Sequence, residues 1–162
     1  MKTPDNLKKI LIAVEDNIYS ETAVNYGLAL ARKLGAEVAL VHVNEIPSAT
    51  PYMADPMLNE TSFMMPEMMN IQEEASKKLF ERIHERAGDD LVLHTYSKIG
   101  TPKVEILATA DECNADLIIL GTHGRTGFDH FISGSVSEGV LRKSKCPVLI
   151  SPNREEEADE AV

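Results

Sequence analysis

The chain has 162 residues, the length of one domain able to bury about two-thirds of its unfolded surface, and its 43% hydrophobic content argues against disorder throughout. A formal net charge of −10 argues against a protein that wraps nucleic acid or binds an anionic membrane, since both want a basic stripe.

The N-terminal stretch MKTPDNLKK has no hydrophobic run after its charges, so no signal peptide is expected. No apolar run approaches the roughly 18 residues needed to span a bilayer. The two cysteines, Cys113 and Cys146, are too far apart for a short metal motif and too few for a disulfide framework. A reducing cytoplasm, with free and buried thiols, is the expected compartment.

KILIAVE (Lys9 to Glu15) is a nearly continuous, β-branched apolar run, the pattern of a strand covered on both faces. Ser20 is the expected cap of a helix running to Leu34, with Ala23, Val24, Leu28, Ala31 and Leu34 at helical spacing and Gly35 as its stop. EVALVHV (Glu37 to Val43) is the second strand. From Asn44 to Pro66 there are four prolines, and six methionines lie between Met53 and Met69. Proline argues against regular structure there, and two readings stand: a lid or partner-docking loop ordered by ligand, or packing over the neighbouring helix.

A helix from Glu67 to Ala87 presents Met68, Ile71, Ala75, Leu79 and Ile83 on one face, and Gly88 ends it. LVLHTYS (Leu91 to Ser97) is the third strand. Thr101-Pro102 reads as an N-cap and first-turn proline of a helix to Cys113, with Val104, Leu107 and Ala108 toward the core. ADLIIL (Ala115 to Leu120) is strand four, SVSEGVLRKS from Ser135 is helix four, and PVLIS (Pro147 to Ser151) is the last strand. Strands alternating with helices predict one α/β domain with a parallel sheet over residues 1–152. Residues 153–162, with five acids and one arginine, read as an acidic, disordered tail.

Between strand four and helix four lies GTHGRTGFDHFISGS, in which Gly121 and Gly124 follow the strand and Gly134-Ser135 precedes the helix. Ligands of open parallel sheets bind beyond the carboxyl ends of the strands, where strand order reverses. Glycine lets a ligand approach the backbone, and the first amides of a helix lack partners and carry positive dipole. Together these suit a chain of phosphates. Taken alone, the glycines also fit a plain turn and a plain helix cap.

Gly-x2-Gly-x9-Gly-Ser, set in ADLIILGTHGRTG and GSVSEGVLRKSKCPVLI, resembles the ATP-binding signature of the universal stress protein family, and the resemblance runs from KKILIAVE to PVLIS. It implies a Rossmann-like, adenine nucleotide alpha hydrolase-like fold: a five-stranded parallel sheet of order 3-2-1-4-5 flanked by four helices. It also implies ATP as ligand. Ala13, Val14 and Glu15 would end strand one at the site, Val43 and Leu120 would offer backbone to adenine beside the Ile99 to Pro102 turn, and Gly121, His123, Gly124, Arg125, Gly134, Ser135 and Val136 would line ribose and phosphates. Where the family has Asp followed by Gly-Ser or a similar pair, this chain reads Glu15-Asp16-Asn17. A carboxylate there would contact ribose or help hold Mg2+, and Glu15 and Asp16 are both candidates. The resemblance further implies a homodimer through the last strand, Pro147 to Ser151.

Catalytic motifs are absent. There is no P-loop lysine motif and no Gly-x-Ser-x-Gly elbow. His123 reads as packing against phosphate or solvent rather than as a base, and His42 and His94 as hydrogen-bonded strand histidines. No histidine pair shows ligand spacing, and Cys146 reads as a small buried residue opening the last strand. The expected function is that of a cytoplasmic ATP-binding stress-response regulator, the alternative being a slow ATPase or nucleotide-dependent enzyme on the same fold.

Overall fold

In the computed structural model, residues 7–45, 61–121 and 135–152 are described, with 18–19, 61–65 and 135 described in backbone only. The elements in order are β1 (Lys9–Ala13), α1 (Ile18–Leu34), β2 (Glu37–Asn44), α2 (Thr61–Ala87), β3 (Leu93–Ile99), α3 (Pro102–Glu112), β4 (Leu117–Gly121), α4 (Ser135–Lys143) and β5 (Val148–Ser151). All strand pairs are parallel and the sheet order is β3-β2-β1-β4-β5. The expected reversal between strands one and four is therefore present.

The continuous apolar runs of the inner strands follow from burial on both faces. Ile10, Ile12, Val38, Leu40 and Ile119 point to one side, where Ala23, Val24, Leu28 and Ala31 of α1 and Leu79, Phe80 and Ile83 of α2 cover them. Leu11, Ala39, Val41, Ile118 and Leu120 point to the other, against Ile106, Ala110 and Cys113 of α3 and Val140 of α4. The result is a three-layer sandwich with one core on each side of the sheet.

Several sequence expectations are corrected. The cap of α1 is Asn17, not Ser20: its backbone is extended and its side-chain oxygen accepts from the Ser20 amide at 2.9 Å. Gly35 does stop α1, in the left-handed conformation at φ 64°, but Leu34 just before it stays exposed. Helix α2 begins at Thr61, six residues before the expected Glu67, and carries Pro66 inside it. Proline forfeits only the ladder bond its missing N–H would make to residue 62, which a helix of 27 residues tolerates.

The buried stripe of α2 is Ser76, Leu79, Phe80, Ile83 and Ala87, while Met68, Ile71 and Ala75 face outward. On α3 the core positions are Ile106, Thr109, Ala110 and Cys113, and Val104 and Ala108 are exposed. In both helices several stripes of apolar residues were available, and the contact with the sheet selects one. Residues 46–60, within the proline- and methionine-rich stretch, and the tail 153–162 lie outside the described residues.

Candidate functional site

The carboxyl ends of β1, β2 and β4 form one edge of the sheet. Beyond Ala13, the Val14 amide still donates to the Val41 carbonyl at 2.9 Å. The Val14 carbonyl accepts from the Nδ1 of buried His42 at 2.8 Å, and because a carbonyl only accepts, the His42 proton sits on Nδ1. His42 therefore has a structural partner, as expected, and pins the backbone just where β1 ends. Alternation sends Val14 into the α1/α2 core, whereas Ala13 packs against the α3/α4 core. Val43 from β2 and Val136 from α4 are half-buried on that same side, and Leu120 from β4 is buried there. Four residues from four elements thus make an apolar shelf at the carboxyl edge.

Glu15, Asp16 and Asn17 turn the chain from β1 into α1. The Ser20 hydroxyl accepts from the Glu15 amide at 3.0 Å, reciprocating the cap that Asn17 gives Ser20. The Asn17 amide group donates to Glu15 Oε2 at 2.8 Å, so the carboxylate is held at the positive end of α1. Asp16 is more exposed and forms an ion pair with Arg82 of α2. Of the two carboxylates, Glu15 is the one tied into the edge itself.

Asn44 and Ile99 are the last pair of the β2–β3 ladder, and the Gly100 amide donates to the Asn44 carbonyl at 3.0 Å. Gly100 has φ 151°, a conformation side chains rarely adopt. Thr101 then caps α3 with extended backbone and Pro102 follows at the first turn, although the Thr101 side chain makes no capping bond. The Asn44 side chain donates to Ser76 of α2 at 2.9 Å, both residues being buried. Neither Asn44 nor Ser76 stood out in sequence; the only signal was a polar residue at the end of an apolar strand and a serine within an apolar helix face.

Gly121 is the last residue of β4, in register with Ser151. It has strand geometry rather than the positive φ that glycine permits, so its contribution is a missing side chain beside the edge. Ser135 is the first residue of α4, as the spacing predicts. His123, Gly124, Arg125 and Gly134 lie outside the described residues.

Elsewhere, His94 bonds Glu37 at 3.0 Å, and with Lys9 it holds the Glu37 carboxyl below its ordinary range. Cys113 is buried, and desolvation pushes its thiol up, away from reactivity; Cys146 is half-buried just before β5 and bonded to Ser144. Among the described residues there is no group of three metal-ligating side chains, and no helix is long and apolar enough to cross a membrane.

The sequence profile described as the Universal stress protein family matches residues 6–152. Universal stress protein MJ0531 of Methanocaldococcus jannaschii is 30% identical over 151 residues, covering 93% of this chain and 85% of its own. Among solved structures, hypothetical protein MJ0577 superposes with a TM-score of 0.76 at 28% identity, covering 91% of this chain and 97% of its own. A universal stress protein in complex with cAMP has a TM-score of 0.60 at 19% identity, over 88% of this chain and 94% of its own. The universal stress protein from Archaeoglobus fulgidus in complex with dAMP has 0.53 at 20%, over 88% and 96%. These last two likenesses establish a shared fold.

Proposed function

This chain belongs to the universal stress protein family, and on that premise we propose that its carboxyl edge binds an adenine nucleotide, ATP first among them, in a cytoplasmic stress-response regulator that works as a homodimer. The observation that carries the reading is the apolar shelf of Ala13, Val43, Leu120 and Val136 beside Gly121 and the first turn of α4. A flat, largely apolar base suits the shelf, and the ends of β2 and β4 offer backbone groups to its polar rim. Phosphates extending from it would meet Gly121, Gly124, Gly134 and the amides opening with Ser135, with Arg125 and His123 in the same loop. Helix N-termini and bare backbone favour such anions. Adenine nucleotides bound to two proteins of the same fold support the ligand class.

Glu15 fits a ribose hydroxyl or a cation beside the phosphates better than Asp16, which Arg82 already engages. A bound magnesium ion would supply charge neutralisation there, with Glu15 as its protein carboxylate. With no P-loop lysine, phosphate release should stay well below about one per second, the low end of ordinary turnover.

Titration calorimetry with ATP, AMP and cAMP tests the site. Wild type should bind, and Gly134→Val should weaken ATP at least tenfold, because a side chain would intrude between backbone and phosphate. Equal ATP affinity in a folded variant would remove the proposed cradle.

A further inference from the structure

Helices that follow strands in a parallel sheet start at its carboxyl edge and run back along it. At 1.5 Å per residue the 27 residues of α2 span about 40 Å. The strands it packs on, β2 and β3, have eight and seven residues, at most about 27 Å. From Pro66 to Ala75 every side chain of α2 is exposed except half-buried Gln72; Met68, Met69 and Ile71 are 43%, 45% and 64% accessible. From Pro66 onward the first buried residue is Ser76, at 1%. Ser76 meets Asn44, the last residue of β2, so by length the turns of α2 N-terminal to it extend beyond the carboxyl end of that strand.

At that boundary stands one side-chain tie. The Ser76 hydroxyl donates to the Gln72 carbonyl at 2.9 Å and accepts from Asn44 Nδ2 at 2.9 Å. Asn44 is 4% exposed, so its amide has no water to fall back on. The backbone of Asn44 has a second task. Its carbonyl accepts the Gly100 amide and so holds the turn that leads into α3. The residue before it, Val43, contributes to the apolar shelf on the opposite face. Asn44 is therefore the one residue that joins Ser76 of α2 to the Gly100 turn by hydrogen bonds and to Val43 along the chain.

We propose that Asn44 and Ser76 are positioning residues that couple the projecting half of α2 to the adenine side of the site. Nucleotide affinity then depends on where α2 sits, and whatever grips the projecting half gains leverage on binding. The inference rests on the nucleotide reading above, but its first arm does not need a nucleotide.

The experiment compares full-length wild type, Ser76→Ala and Ile83→Val. The last is a control that trims a buried α2 residue distant from the tie. Asn44→Ala breaks the same tie from the strand side and serves as a second route should Ser76→Ala fold poorly. Amide exchange by NMR is followed at Gly100 and at Val38, whose amide bonds the Val92 carbonyl at the opposite end of the same strand pair. Breaking the tie should accelerate Gly100 by about tenfold, the scale of one lost buried hydrogen bond, and leave Val38 unchanged. ATP affinity should fall by a similar factor, and Ile83→Val should move neither. Equal acceleration at both amides, or none, overturns the coupling. A loosened Gly100 with undiminished ATP affinity overturns its link to the site. A wild type that binds no adenine nucleotide defeats the functional reading instead, and the exchange comparison then decides the coupling of α2 to the turn by itself.

Discussion

Gly27 shows how one residue can set the distance between layers. It lies in α1 directly over the sheet, and a Cβ built on it would run into the side chain of Ile12 and come within 3.3 Å of Ile119 Cδ1. Both isoleucines are fully buried, so neither can swing away. Gly27→Ala gains up to about 1 kcal/mol of helix propensity, but overpacking a tight core costs about 1–3 kcal/mol. The clash should win, and urea unfolding should show a net loss of about 1 kcal/mol; a stabilised variant would mean that α1 lifts off the sheet freely. At this scale the sequence was only partly legible. Gly35 announced a stop, but the cap expected at Ser20 is Asn17. The Asn17 side chain takes the Ser20 amide, and the Ser20 hydroxyl, inside the first turn, takes the Glu15 amide instead.

Helix α2 separates propensity from packing at the scale of an element. Its apolar residues fit two overlapping stripes that share Leu79 and Ile83, and among the described side chains only those lying over the sheet are buried. Truncating Ile83, 3% exposed, to alanine should cost about 2–4 kcal/mol through lost contacts and a residual cavity. Ile71→Ala, at an exposed position of the projecting half, should change stability by no more than about 0.5 kcal/mol. Denaturant melts of the two variants check this, and comparable losses would place Ile71 in a contact of its own. The contrast follows from element length: a helix longer than its strands continues to be helical after it has stopped being amphipathic.

For the whole molecule, the open question in the topology is the outer strand. β5 is the end of the sheet, and the bond from the Ile118 amide to the Pro147 carbonyl fixes which of its groups face β4. In a parallel ladder alternate residues turn their amide and carbonyl the same way, so those of Val148 and Ile150 point outward. Edge strands with free amides and apolar side chains invite a second strand, most economically a copy of themselves across a two-fold axis. Wild type should therefore sediment as a dimer at micromolar concentration. Ile150→Pro, which deletes an outward amide and no bond to β4, should yield a folded monomer. A monomeric wild type would remove the proposed homodimer.

The alternation of apolar strands with helices was a local pattern, and so the sequence by itself determined the α/β class and the succession of the nine described elements, while the sheet order 3-2-1-4-5, implied by the family resemblance, is the one observed. Period and punctuation are properties of short stretches taken in turn, and a chain shows them before it folds. Which stripe of α2 and α3 is buried, which residue caps α1, and which of two adjacent carboxylates stays beside the edge were decided only in the tertiary structure. The stripes and the carboxylate are choices among near-equal local options settled by partners distant in sequence, the sheet for the stripes and Arg82, 66 residues away, for Asp16, while the cap is settled at closer range, where the Ser20 hydroxyl takes the Glu15 amide. The tie between Asn44 and Ser76 belongs to the same class. The chain around each residue offers only a polar side chain in an apolar stretch and does not say which partner it takes, because a buried polar pair has meaning only once both partners have lost their water.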